Sequence, residues 1–114
     1  MSYNALVIGS TGLIGRHLCQ QILQEEQYAK VVTINRRPAG ILNDKLHERI
    51  ASLDQLEEVG GLPKVDHAFC CLGTTMKKAG SKQAFYQVDF DYVLSFGKLA
   101  KSLGCKTFVL VSSM

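Results

Sequence analysis

An open, doubly wound α/β fold with a parallel sheet is the architecture this sequence predicts. Three observations carry it. Short apolar runs alternate with stretches of helical periodicity along the 114 residues, a glycine turn follows directly on the first apolar run, and no repeat, linker or low-complexity segment interrupts the order. Alternation of this kind builds a parallel sheet with helices on both faces.

The first run, Leu6 to Ile8, reads as a strand, and Leu13 to Gln24 as a helix. Ile14, Leu18 and Ile22 form its stripe, widened by Cys19 and Leu23. Val31 to Ile34 is β-branched and reads as a second strand, broken by Arg36-Arg37-Pro38-Ala39-Gly40. Leu46 to Ile50 alternates only partly and gives a weak third strand. Asp54 is expected to cap a short helix through Glu58, ended by Gly60-Gly61 and Pro63. Ala68 to Leu72 reads as a buried strand, and Thr74 to Lys82 as a polar, basic loop. The strongest helical pattern follows, with Phe85, Val88, Tyr92, Phe96, Leu99 and Leu103 three or four apart, Val93 and Ala100 alongside, and Gly104 closing it. Lys106 to Val111 is a last strand. In this fold it should be central and buried, so residues 1–114 are expected to be the N-terminal part of a single domain, incomplete at the C-terminus. A bare last strand also invites pairing with a second copy, which keeps a homodimer among the expectations.

Composition narrows the function. Hydrophobic residues make up 46% and charged residues 20%, which excludes disorder. A net charge of +3 argues for neither nucleic acid nor an anionic membrane as partner, and no stretch has the length of a membrane span. The N-terminus runs from Met1-Ser2-Tyr3-Asn4 straight into a strand, leaving no room for a signal peptide, so a cytoplasmic location is expected. Cys19, Cys70, Cys71 and Cys105 form no Cys-x-x-Cys pair, and Cys70 and Cys71 should point to opposite faces of a strand. Buried, reduced thiols are the expected state. His17, His47 and His67 lack ligand spacing with them, so no metal is expected.

The chemistry concentrates in Gly9-Ser10-Thr11-Gly12-Leu13-Ile14-Gly15. After a strand and before a helix, one glycine allows the tight turn, the next lets the backbone approach a pyrophosphate, and the third lets helix and strand pack closely. The phosphates then meet free N–H groups and the helix dipole. About 20 residues beyond Gly15, where an acid would bind the ribose of NAD and an arginine the 2′-phosphate of NADP, stand Asn35, Arg36 and Arg37. NADP is the expected cofactor, against the alternative of a solvated basic loop. Leu72-Gly73-Thr74 closes the fourth strand, where the nicotinamide ribose would lie. Lys77 and Lys78 are expected to be solvated, and Asp89 to make a structural hydrogen bond. Ser112 and Ser113 end the fifth strand on the same edge; there a hydroxyl is placed to orient a substrate oxygen, although serines at strand ends are commonly loop chemistry.

With Gly9-x-x-Gly12-x-x-Gly15 and the terminal serines, the sequence resembles the short-chain dehydrogenase/reductase superfamily in its extended and atypical branches. It is most similar to the atypical HIV Tat-interacting oxidoreductase-like group. That resemblance rests on Cys70-Cys71-Leu72-Gly73-Thr74-Thr75, Lys78-Ala79-Gly80, Val88-Asp89, Asp91-Tyr92-Val93-Leu94 and Gly104-Cys105-Lys106, nearly the length of the chain. It implies an NADPH-binding Rossmann protein with Ser113 at the position of the superfamily's catalytic serine. The superfamily's Tyr-x-x-x-Lys pair is absent here, since Tyr3, Tyr28, Tyr86 and Tyr92 are followed four positions later by Val7, Val32, Phe90 and Phe96. Two functions follow as expectations. One is an NADP-dependent oxidoreductase acting on a carbonyl or alcohol of unknown identity, with this chain inactive alone. The other is an NADPH-binding regulatory or scaffold protein without turnover.

Overall fold

The computed structural model describes residues 2–10, 12–71 and 91–111. Five parallel strands form one sheet in the order β3-β2-β1-β4-β5. They are β1 (Tyr3–Ile8), β2 (Tyr28–Asn35), β3 (Leu46–Ile50), β4 (His67–Cys70) and β5 (Thr107–Leu110). Strand order runs outward from β1 to β3 and then reverses across β1 to β4. The switch point therefore lies between the carboxyl ends of β1 and β4, which pair Ile8 with Cys70. In open α/β sheets ligands bind in the crevice beyond such a point. The expected doubly wound fold is the one observed.

Each face of the sheet carries its own core, as strand alternation requires. Ala5, Val7 and Val31 point to one side, where helix α1 (Leu13–Gln24) covers them with Cys19, Ile22 and Leu23. Leu6, Ile8, Val32, Ile34, Ala68 and Cys70 point to the other. They meet the 3₁₀ segment Leu53–Glu58 and helix α2 (Val93–Ser102), whose Phe96, Leu99 and Ala100 are buried. α2 is tied to the 3₁₀ segment by the Tyr92 hydroxyl, which donates to Asp54 Oδ1 at 2.9 Å, and by Lys98 and Glu57 at 3.6 Å. Leu103 ends α2, and Gly104 follows at φ +82°, the left-handed position expected of it.

Three expectations need correction. Ile14 does not join the buried stripe of α1 but is 46% exposed. The face pressed to the sheet is Gly15, Cys19, Ile22 and Leu23, because the close approach at Gly15 sets the helix rotation. The 3₁₀ segment is capped by Ser52, whose hydroxyl accepts from the Asp54 N–H; Asp54 turns its carboxylate to Tyr92 instead. The first two strands begin earlier than their apolar runs, at Tyr3 and Tyr28. An aromatic cluster replaces aliphatic packing there, with the Tyr28 hydroxyl 2.8 Å from His67 Nδ1 and the Tyr3 and His67 rings 4.8 Å apart. As expected of a bare last strand, β5 is an edge strand among the described residues. Phe108 packs on Phe96 at 5.8 Å between ring centroids but stays 41% exposed, and Leu110 is 56% exposed. Its apolar run fits a strand covered on both sides, whereas β4 is its only strand neighbour among the described residues.

Candidate nucleotide-binding site

The turn after β1 lies at the switch point, and its three glycines have three different reasons to be glycine. Gly9 has φ +88°, a conformation that side chains resist. Its carbonyl accepts from the Gly12 N–H at 3.2 Å and closes the turn. Gly15 faces that turn so closely that a Cβ there would stand 2.0 Å from the Gly9 carbonyl oxygen and 3.1 Å from Cys71 Cβ. Gly12 is under neither constraint. It caps α1 at φ −76°, ψ 166°, ordinary extended backbone, and among the described residues a Cβ there would meet only Gly9 O, at 3.6 Å.

Among the described residues no side chain caps the start of α1, no acid stands in its first turn, and Leu13 at its mouth is 89% exposed. Free N–H groups at a helix start, with no acidic competitor, suit an anionic ligand. Ser10 beside them is fully buried, and its hydroxyl donates to Asn35 Oδ1 at 2.7 Å, joining the glycine turn to the end of β2. Beyond Asn35 the chain bends outward through Arg36, Arg37 and Pro38, all exposed, and returns at buried Ala39. The Ala39 carbonyl accepts from the Arg16 guanidinium of α1. Its N–H donates to Glu48 Oε2 at 3.0 Å, and the Asn35 amide nitrogen donates to the same oxygen at 2.8 Å.

The structure thus brings Gly9, Ser10, Gly12, Leu13, Ile14, Gly15, Arg36 and Arg37 to one sheet edge. Thr11, Leu72, Gly73, Thr74, Lys77, Lys78, Asp89, Ser112 and Ser113 lie outside the described residues. Sequence reasoning missed Arg16 and Glu48. Glu48 carries a usable signal, for it shares with Leu46 and Ile50 the strand face that lies in register beside Val31, Thr33 and Asn35. An acid on the apolar side of an alternating strand asks for a partner.

Cys19 and Cys71 lie beneath the turn; of the four thiols Cys19 and Cys70 are buried as expected, whereas Cys71 and Cys105 are only half-buried. Burial pushes Cys19 and Cys71 each from the ordinary 9.0 up to about 11, helped at Cys19 by the Glu48 charge and opposed by Arg16. The neutral thiol is the form the fold favours. Its stabilisation is complete below pH 9 and lost as pH climbs through about 11. At pH 8 both should react slowly with a thiol reagent, Cys105 faster, and unfolding should equalise them. Rapid native labelling of Cys19 would contradict the burial argument. Among the described residues no group of three or more His, Cys, Asp or Glu is placed to hold a metal ion. No helix among them is long and apolar enough to cross a membrane.

Comparison with known proteins decides the family. The model of the NAD dependent epimerase/dehydratase family matches residues 5–114. The chain belongs to that family. Protein HTATIP2 of Rattus norvegicus is 36% identical over 96% of this chain and 47% of its own length. Protein FMP52, mitochondrial, of Candida glabrata is 38% identical over 96% of this chain and 47% of its own. The chain therefore spans about half the length of the curated relatives it matches. A UDP-glucuronic acid 4-epimerase from Bacillus cereus, solved as a Y149F mutant with a fluorinated UDP-sugar and NAD, superposes with a TM-score of 0.74. That match covers 96% of this chain and 40% of the epimerase, at 21% identity, and it concerns the fold. A nicotinamide dinucleotide is the cofactor class of this epimerase/dehydratase domain. One expectation falls here. The cytoplasmic location is overturned by the FMP52 relatives, which are named mitochondrial. Compartments are addressed by signals that receptors read, so a polar N-terminus and an average composition never carried that information.

Proposed function

We propose that this chain is the NADP(H)-holding, N-terminal part of a single nucleotide-binding domain in an oxidoreductase that acts on a carbonyl or alcohol. The observation that carries the proposal is Gly12. The described residues make no demand for glycine there, and a pyrophosphate at a helix start needs the close backbone approach that a missing side chain allows. Gly9 to Gly15 would cradle the phosphates, with the open N–H groups at the start of α1 supplying the donors. Arg36 and Arg37 would take the 2′-phosphate by charge-assisted hydrogen bonds. The segment Leu72 to Thr74 would line the nicotinamide ribose, and Ser113 would orient the substrate oxygen. When bound, NADP(H) supplies or accepts the hydride.

Titration with both cofactors tests the assignment. NADPH should bind at least tenfold more tightly than NADH, about 1.4 kcal/mol. Replacing both arginines with alanine should erase the difference by weakening NADPH alone. Equal or better NADH binding by the unaltered protein would sink the NADP assignment.

A further inference from the structure

One carboxylate oxygen holds both ends of the bend that carries the arginines. Glu48 Oε2 accepts from the Asn35 side-chain amide, where β2 ends, and from the Ala39 backbone N–H, where the bend returns to the protein. Only Arg36, Arg37 and Pro38 lie between. Asn35 is 3% exposed and is held on its other side by Ser10, and the Ala39 carbonyl is held by Arg16. Among the described residues the anchors of this bend come from β3 and Ala51 just after it, from α1 and from the glycine turn, while Arg36 and Arg37 stand outside it.

We infer that Glu48 is a specificity-determining positioning residue, stapling the base of the Arg36-Arg37-Pro38 bend so that the guanidiniums are ordered before a 2′-phosphate arrives. The inference rests on the proposed assignment of those arginines to NADP. A loop fixed in its binding geometry avoids the ordering cost on association, and this benefit goes only to a ligand that the loop touches. The staple also accounts for an amide at position 35. An aspartate there would set two carboxylates in the place of a 2.8 Å hydrogen bond, so the acid that would favour NAD is excluded by Glu48 itself.

The test compares NADPH and NADH affinities, read by nicotinamide fluorescence on the full-length protein, with melting temperature followed in parallel. Glu48 is exposed on an edge strand, so Glu48→Ala should stay folded. It should weaken NADPH by about tenfold, the scale of lost preorganisation and charge-assisted contacts, and leave NADH within about twofold. Amide hydrogen exchange at Ala39 should rise. Glu48→Gln keeps an oxygen for both donors and should rescue most of the NADPH affinity. If Glu48→Ala weakens both cofactors equally, or neither, while the arginine variants lower NADPH alone, the staple is wrong and the arginine assignment stands. If the arginine variants leave NADPH unchanged, both are wrong.

Discussion

Gly15→Ala should abolish cooperative folding, or lower stability by at least about 3 kcal/mol, a large part of the whole for a small domain. The added methyl would sit 2.0 Å from the Gly9 carbonyl oxygen and 2.8 Å from its carbon. Both atoms are backbone, so no side-chain rotation relieves the clash. Gly9 cannot retreat cheaply, since its φ of +88° and its hydrogen bond from Gly12 define the turn. The alternative is for α1 to lift from the sheet, and Cys19, Ile22 and Leu23 would then leave Ala5, Val7 and Val31 partly uncovered. Burial of each large aliphatic side chain is worth about 1.5–3 kcal/mol, so lifting costs as much as the clash. Denaturant unfolding followed by circular dichroism measures the effect. A variant within about 1 kcal/mol of the parent would show that helix and turn separate more easily than this geometry allows.

The same close approach explains what was legible in the sequence. Strand, glycine turn and helix are local signals, so α1 was placed at Leu13–Gln24 and the parallel fold followed from alternation. Leu46–Ile50 was also readable, although its partial alternation reflects a strand with one exposed edge. The failures share a physical origin in contacts distant in sequence. Ile14 fits a helical stripe as well as Cys19 does, and only the contact between Gly15 and Gly9 decides which face is buried. Ser52 and Asp54 are both good caps, and the choice was made by Tyr92, 38 residues away from the carboxylate it meets. Nothing near Asn35 along the chain announces Glu48, because it comes from the neighbouring strand, in register with Thr33.

Gly12→Val should remove NADPH binding, by at least about a hundredfold or 2.7 kcal/mol, while the protein stays folded. The contrast with Gly15 is sharp because the two glycines stand three residues apart in one turn. A β-carbon at Gly12 has an ordinary 3.6 Å contact with Gly9 O, and the backbone angles are ones valine adopts without strain. Losing glycine at a helix cap for a β-branched residue costs roughly 1 kcal/mol, well within what a folded domain tolerates. The valine side chain would occupy the space beside the open N–H groups of α1, where the pyrophosphate must come within hydrogen-bonding distance of the backbone. Fluorescence titration with NADPH, paired with a melting curve of each variant, separates the two effects. Gly12→Ala should be intermediate, since one methyl intrudes less than three carbons. A folded Gly12→Val protein that binds NADPH within about threefold of the parent would mean that the turn is structural only. The phosphates would then have to be held elsewhere.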